Sequence, residues 1–171
     1  NFYLLWRKVY PLKERLLIEQ SFMSAKRLTL DTNILVYAVD RDSKDKHERA
    51  VSIVDQAVYL DCVLTLQSLC ELYAAATRKK YAQHEEIASF IKELMGIFPI
   101  IASAGSTLNL ALKILEGHDL SFWDAMLWAT AKENNCSLII SEDFQDNLRL
   151  SGVTIRNPFS SDDSLEYLLN K

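Results

Sequence analysis

The sequence predicts an α/β domain built on a mainly parallel sheet, and three observations carry that expectation. From Leu28 onward, short apolar runs alternate with stretches of helical periodicity. Of the 171 residues, 49% are hydrophobic and 25% charged, with four glycines and three prolines, the composition of one ordinary globular domain. Neither an internal repeat nor a low-complexity linker breaks the pattern.

The apolar runs Leu28 to Leu30, Val58 to Leu66, Pro99 to Ala102, Leu138 to Ile140 and Val153 to Ile155 are the expected strands. Between them, helical periodicity places helices over Asn33 to Val39, Lys46 to Ala57, Ser68 to Lys80, His84 to Phe98, Ser106 to Glu116 and Ser121 to Asn134. The tail SSDDSLEYLLNK is polar and then apolar, and docks as a last short helix or frays. Residues 1–22 are aromatic and basic, interrupted by Pro11, and lack the region order of a signal peptide. They are expected to be an extension ahead of a domain over 23–171 that starts near Met23; a helix over Leu12 to Phe22 is the alternative.

Charge is spread unevenly. Residues 1–27 carry six Lys or Arg against two Glu, leaving 13 basic and 21 acidic residues, a charge of −8, in 28–171. An acidic body argues against non-specific nucleic-acid binding through a broad basic surface, so a polyanion has to be met by a local patch or by metal ions. No apolar stretch is long enough to span a membrane. Cys62, Cys70 and Cys136 form no Cys-x-x-Cys pair and read as buried thiols of a cytoplasmic protein.

The segment LTLDTN, 28–33, delivers an apolar run straight into Asp31. The arrangement recurs: Glu71 and Asp124 fall in the first turns of helices, and LIISEDF ends a strand in Glu142 and Asp143. In open α/β sheets, ligands bind in the crevice at the carboxyl ends of the strands, so four acids from four segments can converge there. Taken singly, each acid has a plainer reading. Ser68-x-x-Glu71 and Ser121-x-x-Asp124 fit the capping box, Asp31 can cap the helix beginning near Asn33, and Asp143 can open a turn.

Capping does not explain the set, because the helices at His84 and Ser106 show the pattern more weakly. Nor does it explain the shallow face around Glu71, shared with Ala74, Ala75 and Arg78. Clustered carboxylates repel one another unless cations neutralise them. Hard oxygen ligands in this number suit Mg²⁺ or Mn²⁺, which points to phosphodiester hydrolysis.

Together LTLDTNILVYAVD, LQSLCELYAAATRK, LSFWDAMLWATAKENNCSLIISEDFQDN and VTIRNPF resemble the PIN domain, and within it the VapC-type toxin ribonucleases of bacterial toxin-antitoxin pairs. The resemblance spans about residues 27 to 159 and implies a three-layer α/β/α fold with a central, mainly parallel sheet. By position it implies that Asp31, Glu71, Asp124 and Asp143 hold Mg²⁺ or Mn²⁺, with Asn33 and Ser141 as supporting contacts. It further implies cleavage of RNA, often tRNA or rRNA, a homodimer, and a cognate antitoxin that lays a peptide into the active-site groove. The family commonly has Gly shortly after the fourth acid; here Asn147, which also tolerates a left-handed turn, stands there.

Strand alternation sends Glu142 away from Asp143, and Asp146 is kept as an outer-shell residue. Arg78 is read equally as a cation complementing its helix end and as an RNA phosphate contact. Trp123 and Trp128 are assigned to core packing rather than base stacking. His47, His84 and His118 are scattered without a zinc spacing, and no Gly-x-Ser-x-Gly elbow or phosphate-cradling Gly loop occurs. An aspartate-nucleophile phosphatase would want a second acid two residues after Asp31, where Asn33 stands. The expectation is therefore a metal-dependent endoribonuclease. Its rivals are a PIN endonuclease of RNA processing or decay, and a non-cleaving PIN-like scaffold that binds RNA or protein.

Overall fold

The computed structural model describes residues 26–79, 81–161 and 163–170. The expectations for residues 1–22, Leu12 to Phe22 and Met23 lie outside the described residues. In chain order the elements are β1 (Leu28–Leu30), α1 (Thr32–Val39), a 3-10 turn (Arg41–Ser43), α2 (Asp45–Ala57), β2 (Cys62–Thr65), α3 (Leu66–Arg78), α4 (His84–Ile97) and β3 (Ile100–Ile101). Then come α5 (Gly105–Leu115), α6 (Phe122–Glu133), β4 (Leu138–Ile140), β5 (Arg149–Leu150), β6 (Val153–Arg156) and α7 (Leu165–Asn170).

The strands form one six-stranded sheet in the order β3-β2-β1-β4-β6-β5, parallel throughout except for the β5–β6 pair. Two-residue alternation of side chains divides the core into two layers. Leu28, Leu30, Cys62, Leu64, Leu138 and Ile140 face a layer supplied by α1 to α4 and α7. Val63, Ile139, Val153 and Ile155 face α5 and α6. Helices on both faces are what the three-layer expectation required.

Most element ends fall within a residue or two of the sequence reading, and the larger departures have physical reasons. The apolar run Val58 to Leu66 is only half strand: Tyr59 and Leu60 turn back onto α2, and Leu66 already belongs to α3. Helix α3 starts early because Thr65, ending β2, caps it by accepting the Ser68 N–H at 2.9 Å. Ser68 is therefore not the cap, and the capping-box reading of Ser68 and Glu71 fails. Strand β5 was not expected; Ser151 and Gly152, at φ 48° and 87°, make the two-residue turn with both φ positive that folds β5 onto β6.

Helix α6 ends in a Schellman turn. Asn135 sits at φ 60°, its N–H bonds to Lys132 O, and Cys136 N–H reaches back to Ala131 O. Trp128 anchors the middle of α6: it is buried, and its indole N–H donates to Leu150 O at 3.2 Å. Trp128→Ala is expected to cost about 3–5 kcal/mol in a urea melt, the range for an aromatic removed from a packed core. A loss below about 1 kcal/mol would show that the α6–β5 contact does not carry the packing described.

A candidate acidic site at the switch point

Successive strands move outward from β1 in one direction to β2 and β3, and in the other to β4 and β6, so the carboxyl ends of β1 and β4 flank a topological switch point. Asp31 is the first residue past β1, and its N–H donates to Ile140 O at the end of β4. Its carboxylate is 7% exposed and is fully engaged. Oδ1 accepts the Thr32 N–H at 2.6 Å, making Asp31 the cap of α1, as the plainer reading held. Oδ2 accepts the Ser141 hydroxyl at 2.6 Å and the Asn33 amide at 3.0 Å. Ser141, wholly buried, also accepts from Asn33 Nδ2 and from the Asp143 N–H at 3.1 Å, tying Asp31 to the turn that carries Asp143.

Glu71 is held from two sides. The Thr32 hydroxyl donates to Oε2 at 2.6 Å, and Gln67, one helical turn earlier, donates to Oε1 at 3.0 Å. The Gln67 amide also donates to the Trp123 carbonyl at 3.1 Å, so one side chain joins α3 to the start of α6. Asp124 lies in the first turn of α6, where Ser121 accepts its N–H at 3.1 Å. Capping thus accounts for the position of Asp124 on its helix. It also operates at the His84 helix, where Glu86 accepts the Gln83 N–H at 2.9 Å; acids at that helix start are no weaker than elsewhere.

Asp31, Glu71, Asp124 and Asp143 nonetheless line one groove of about 1250 Å³. Arg78, Lys79, Ala74 and Ala75 line it along α3, and Trp123 lines it on α6. Glu142 turns out of it to pair with Lys46, and Asp146 is spent on the Asn157 N–H and the Asn147 amide. Asn147 has a left-handed backbone, φ 63°, the conformation that Asn tolerates in place of Gly. Trp123 is a correction: it is 59% exposed, edge-on to Phe122 at 5.2 Å, while Trp128 alone of the pair is core. Cys70 is a second correction, exposed in the groove where three buried thiols were expected. The sequence reading missed Thr32 and Gln67; the spacing of four from Gln67 to Glu71 on one helix was the available signal.

Burial pushes Asp31 up from the ordinary 3.8 to about 7; the Ser141 and Thr32 hydrogen bonds oppose the rise, and the charges of Asp143 and Asp124 add to it. Asp124 is raised by burial too, then by Asp143 and Glu71, with Ser121 opposing. Among the described residues none of the four is ion-paired, although Arg78 and Lys79 line the same groove. A divalent cation suits this hard oxygen set. No three acidic, histidine or cysteine side chains among the described residues stand close enough to form a finished ligand cage. The donor set fits an ion that retains part of its water shell, as Mg²⁺ does.

The raised Asp31 has a measurable consequence. Between pH 3.8 and about 7 the folded chain keeps a proton that the unfolded chain has released, so this group's contribution to stability is full below pH 4 and is lost as pH rises through 7. In EDTA, Asp31→Asn is expected to be more stable than the parent at pH 8, by on the order of 1–3 kcal/mol, with the gap closing toward pH 4. Urea melts across that range check it; parallel profiles for the two proteins would contradict it.

Residues 28–147 match the PIN domain family, well over half of the chain. No curated protein matches. Among solved structures, VapBC2 of Rickettsia felis, bound to a DNA fragment from its promoter, superposes with TM-score 0.57 at 15% identity, covering 77% of this chain and 98% of that one. VapBC-1 of nontypeable Haemophilus influenzae gives TM-score 0.57 at 16% identity, covering 78% and 98%. The sarcin-ricin loop cleaving toxin VapC20 of Mycobacterium tuberculosis gives 0.53 at 14%, covering 66% and 86%. These likenesses establish a shared fold. With its matched segment running from β1 through the turn after Asp143, the chain belongs to the PIN domain family.

Proposed function

We propose that this protein is a metal-dependent endoribonuclease, the toxin of a toxin-antitoxin pair. One observation carries the reading: four carboxylates from four segments line one groove of a PIN fold, and among the described residues none of them is ion-paired. Asp31, Glu71, Asp124 and Asp143 are the residues that would hold Mg²⁺ or Mn²⁺. When bound, such an ion offsets the charge of a scissile phosphate and lowers the pKa of a water.

The chain's own groups position what reacts. Ser141, Asn33 and the Thr32 N–H fix the Asp31 carboxylate, while Thr32 Oγ1 and Gln67 fix that of Glu71. Arg78 and Lys79 line the same groove and supply positive charge for flanking phosphates. The exposed Trp123 ring is available to stack on an unpaired base, which favours single-stranded RNA. A cytoplasmic toxin of this kind would take tRNA or rRNA as substrate and work as a homodimer silenced by an antitoxin. The neighbours crystallised as VapBC pairs support the antitoxin. Among the described residues no helix is long and apolar enough to cross a membrane.

Purified protein incubated with total tRNA and rRNA in Mg²⁺ or Mn²⁺ is expected to give discrete cleavage products, lost in EDTA and lost in Asp31→Asn. Wild-type cleavage by Asp31→Asn would overturn the assignment, and RNA binding without cleavage under any metal would favour the scaffold reading. Trp123→Ala is expected to weaken single-stranded RNA binding by roughly 5- to 100-fold, the range for one lost stacking partner, with little change in thermal stability. Unchanged RNA affinity would remove Trp123 from the binding surface.

A further inference from the structure

A second cavity, of about 320 Å³, lies between the β4–β6–β5 side of the sheet and α7, and shares no lining residue with the acidic groove. Lys26, Arg149 and Arg156 line it together with Thr154, Leu138 and Leu168, and no acidic side chain among the described residues does. Two of these positive charges, Arg149 and Arg156, belong to residues 28–171, whose net charge is −8, and Lys26 adds a third. Arg149 pairs across the hairpin with Thr154, and Thr154 and Arg156 sit on the same face of β6, so the sheet itself brings the two guanidinium groups to one side.

Arg156 is the group that needs an explanation. It is 5% exposed, and its Nε is buried with no hydrogen-bond partner. Among the described residues no ion pair includes Arg156, Arg149 or Lys26, so all three are unpaired there. A guanidinium cannot shed its proton to escape this position, as a buried Lys or His can. Leaving such a charge buried without a counter-ion costs several kcal/mol, whereas an oxyanion accepting two parallel N–H bonds from a guanidinium relieves it.

The remaining walls fit an oxyanion of modest size. Leu138 and Leu168 close the cavity with apolar surface, which strengthens charge–charge attraction inside it. The volume lies at the small end of the range for small-molecule sites and excludes a nucleic-acid helix. Helix α7, which supplies Leu168, and the segment leading into it are fastened from outside: Arg49 donates to the carbonyls of Pro158 and Asp163 ahead of the helix, and the Gln56 side chain accepts the Leu165 N–H at 2.9 Å. The cavity thus has a built wall.

We propose that this cavity, centred on Arg156, binds a small phosphate-bearing anion, either inorganic phosphate or a phosphate monoester. The test is a thermal melt and calorimetric titration of the full chain in EDTA, with sodium phosphate, adenosine 5′-monophosphate, citrate and ionic-strength-matched sodium chloride as separate arms. Phosphate is expected to raise Tm saturably, by several degrees once its concentration is about 100 times Kd, while chloride does not. A larger shift with the monophosphate at equal concentration would identify the ligand as a monoester, and a smaller one as free phosphate.

Arg156→Met is expected to weaken phosphate binding at least about tenfold, as befits loss of a charge-assisted bidentate contact, and to melt no lower than the parent in phosphate-free buffer. Arg149→Gln, at an exposed position, is expected to weaken binding several-fold and serves should the Arg156 variant not fold. Equal shifts in phosphate and matched chloride, undiminished phosphate binding in either variant, or tighter binding of citrate than of phosphate would each overturn the proposal.

Discussion

The site depends on one interaction, the hydrogen bond from the buried Ser141 hydroxyl to the Asp31 carboxylate. It joins the ends of β1 and β4, the two neighbouring strands at which the chain's direction of travel across the sheet reverses. Without it, Asp31 would be a buried acid held only by the Thr32 N–H and the Asn33 side-chain amide, both from its own helix start. With it, the same serine also fixes Asn33 and the turn that carries Asp143. The bonds that hold Asp31 also pull its pKa down, yet burial and two neighbouring acids pull harder, and the group ends near neutrality. Burial and like charge together disfavour the ionised form of Asp31, a cost that a bound cation would offset.

The groove is organised around this imbalance. Acidic groups gather where the strands end, cations lie along α3, and an exposed indole stands beside the third acid. Glu142, next in sequence to Asp143, is removed from the cluster by its pairing with Lys46, so adjacent carboxylates end in different electrostatic surroundings. Gln67 binds Glu71 and the backbone of Trp123 with one amide, which couples the position of an acid to that of the aromatic wall.

Much of this was legible in the sequence because it follows from period and position. Leu28 to Leu30 and Leu138 to Ile140 are apolar runs short enough to be strands, and the acids that follow them fall at strand ends by construction. What the sequence hid depends on tertiary partners. Thr65 took the capping role from Ser68 because β2 and α3 abut with no loop, which a local pattern cannot reveal. Trp123 and Trp128 share a helix but lie roughly 140° apart around its axis, so one helical pattern served both a core and a groove residue. The Thr32 hydroxyl was read as part of a motif and not as the partner of Glu71, since only the packing of α1 against α3 brings them together. Strand β5 is two residues long, below what alternation can register, although Ser151-Gly152 marked its turn.

The central claim is that Asp31, Glu71, Asp124 and Asp143 share a cation. Its most direct test is an NMR titration of the backbone amides with Mn²⁺, which broadens resonances near the ion, run alongside Mg²⁺ calorimetry at pH 6 and pH 8. The expected result is saturable binding that broadens the amides around all four acids at once, with tighter Mg²⁺ binding at pH 8, where Asp31 has lost the proton that competes with the ion. Broadening confined to other acidic surfaces, or no saturable binding at either pH, would contradict the account.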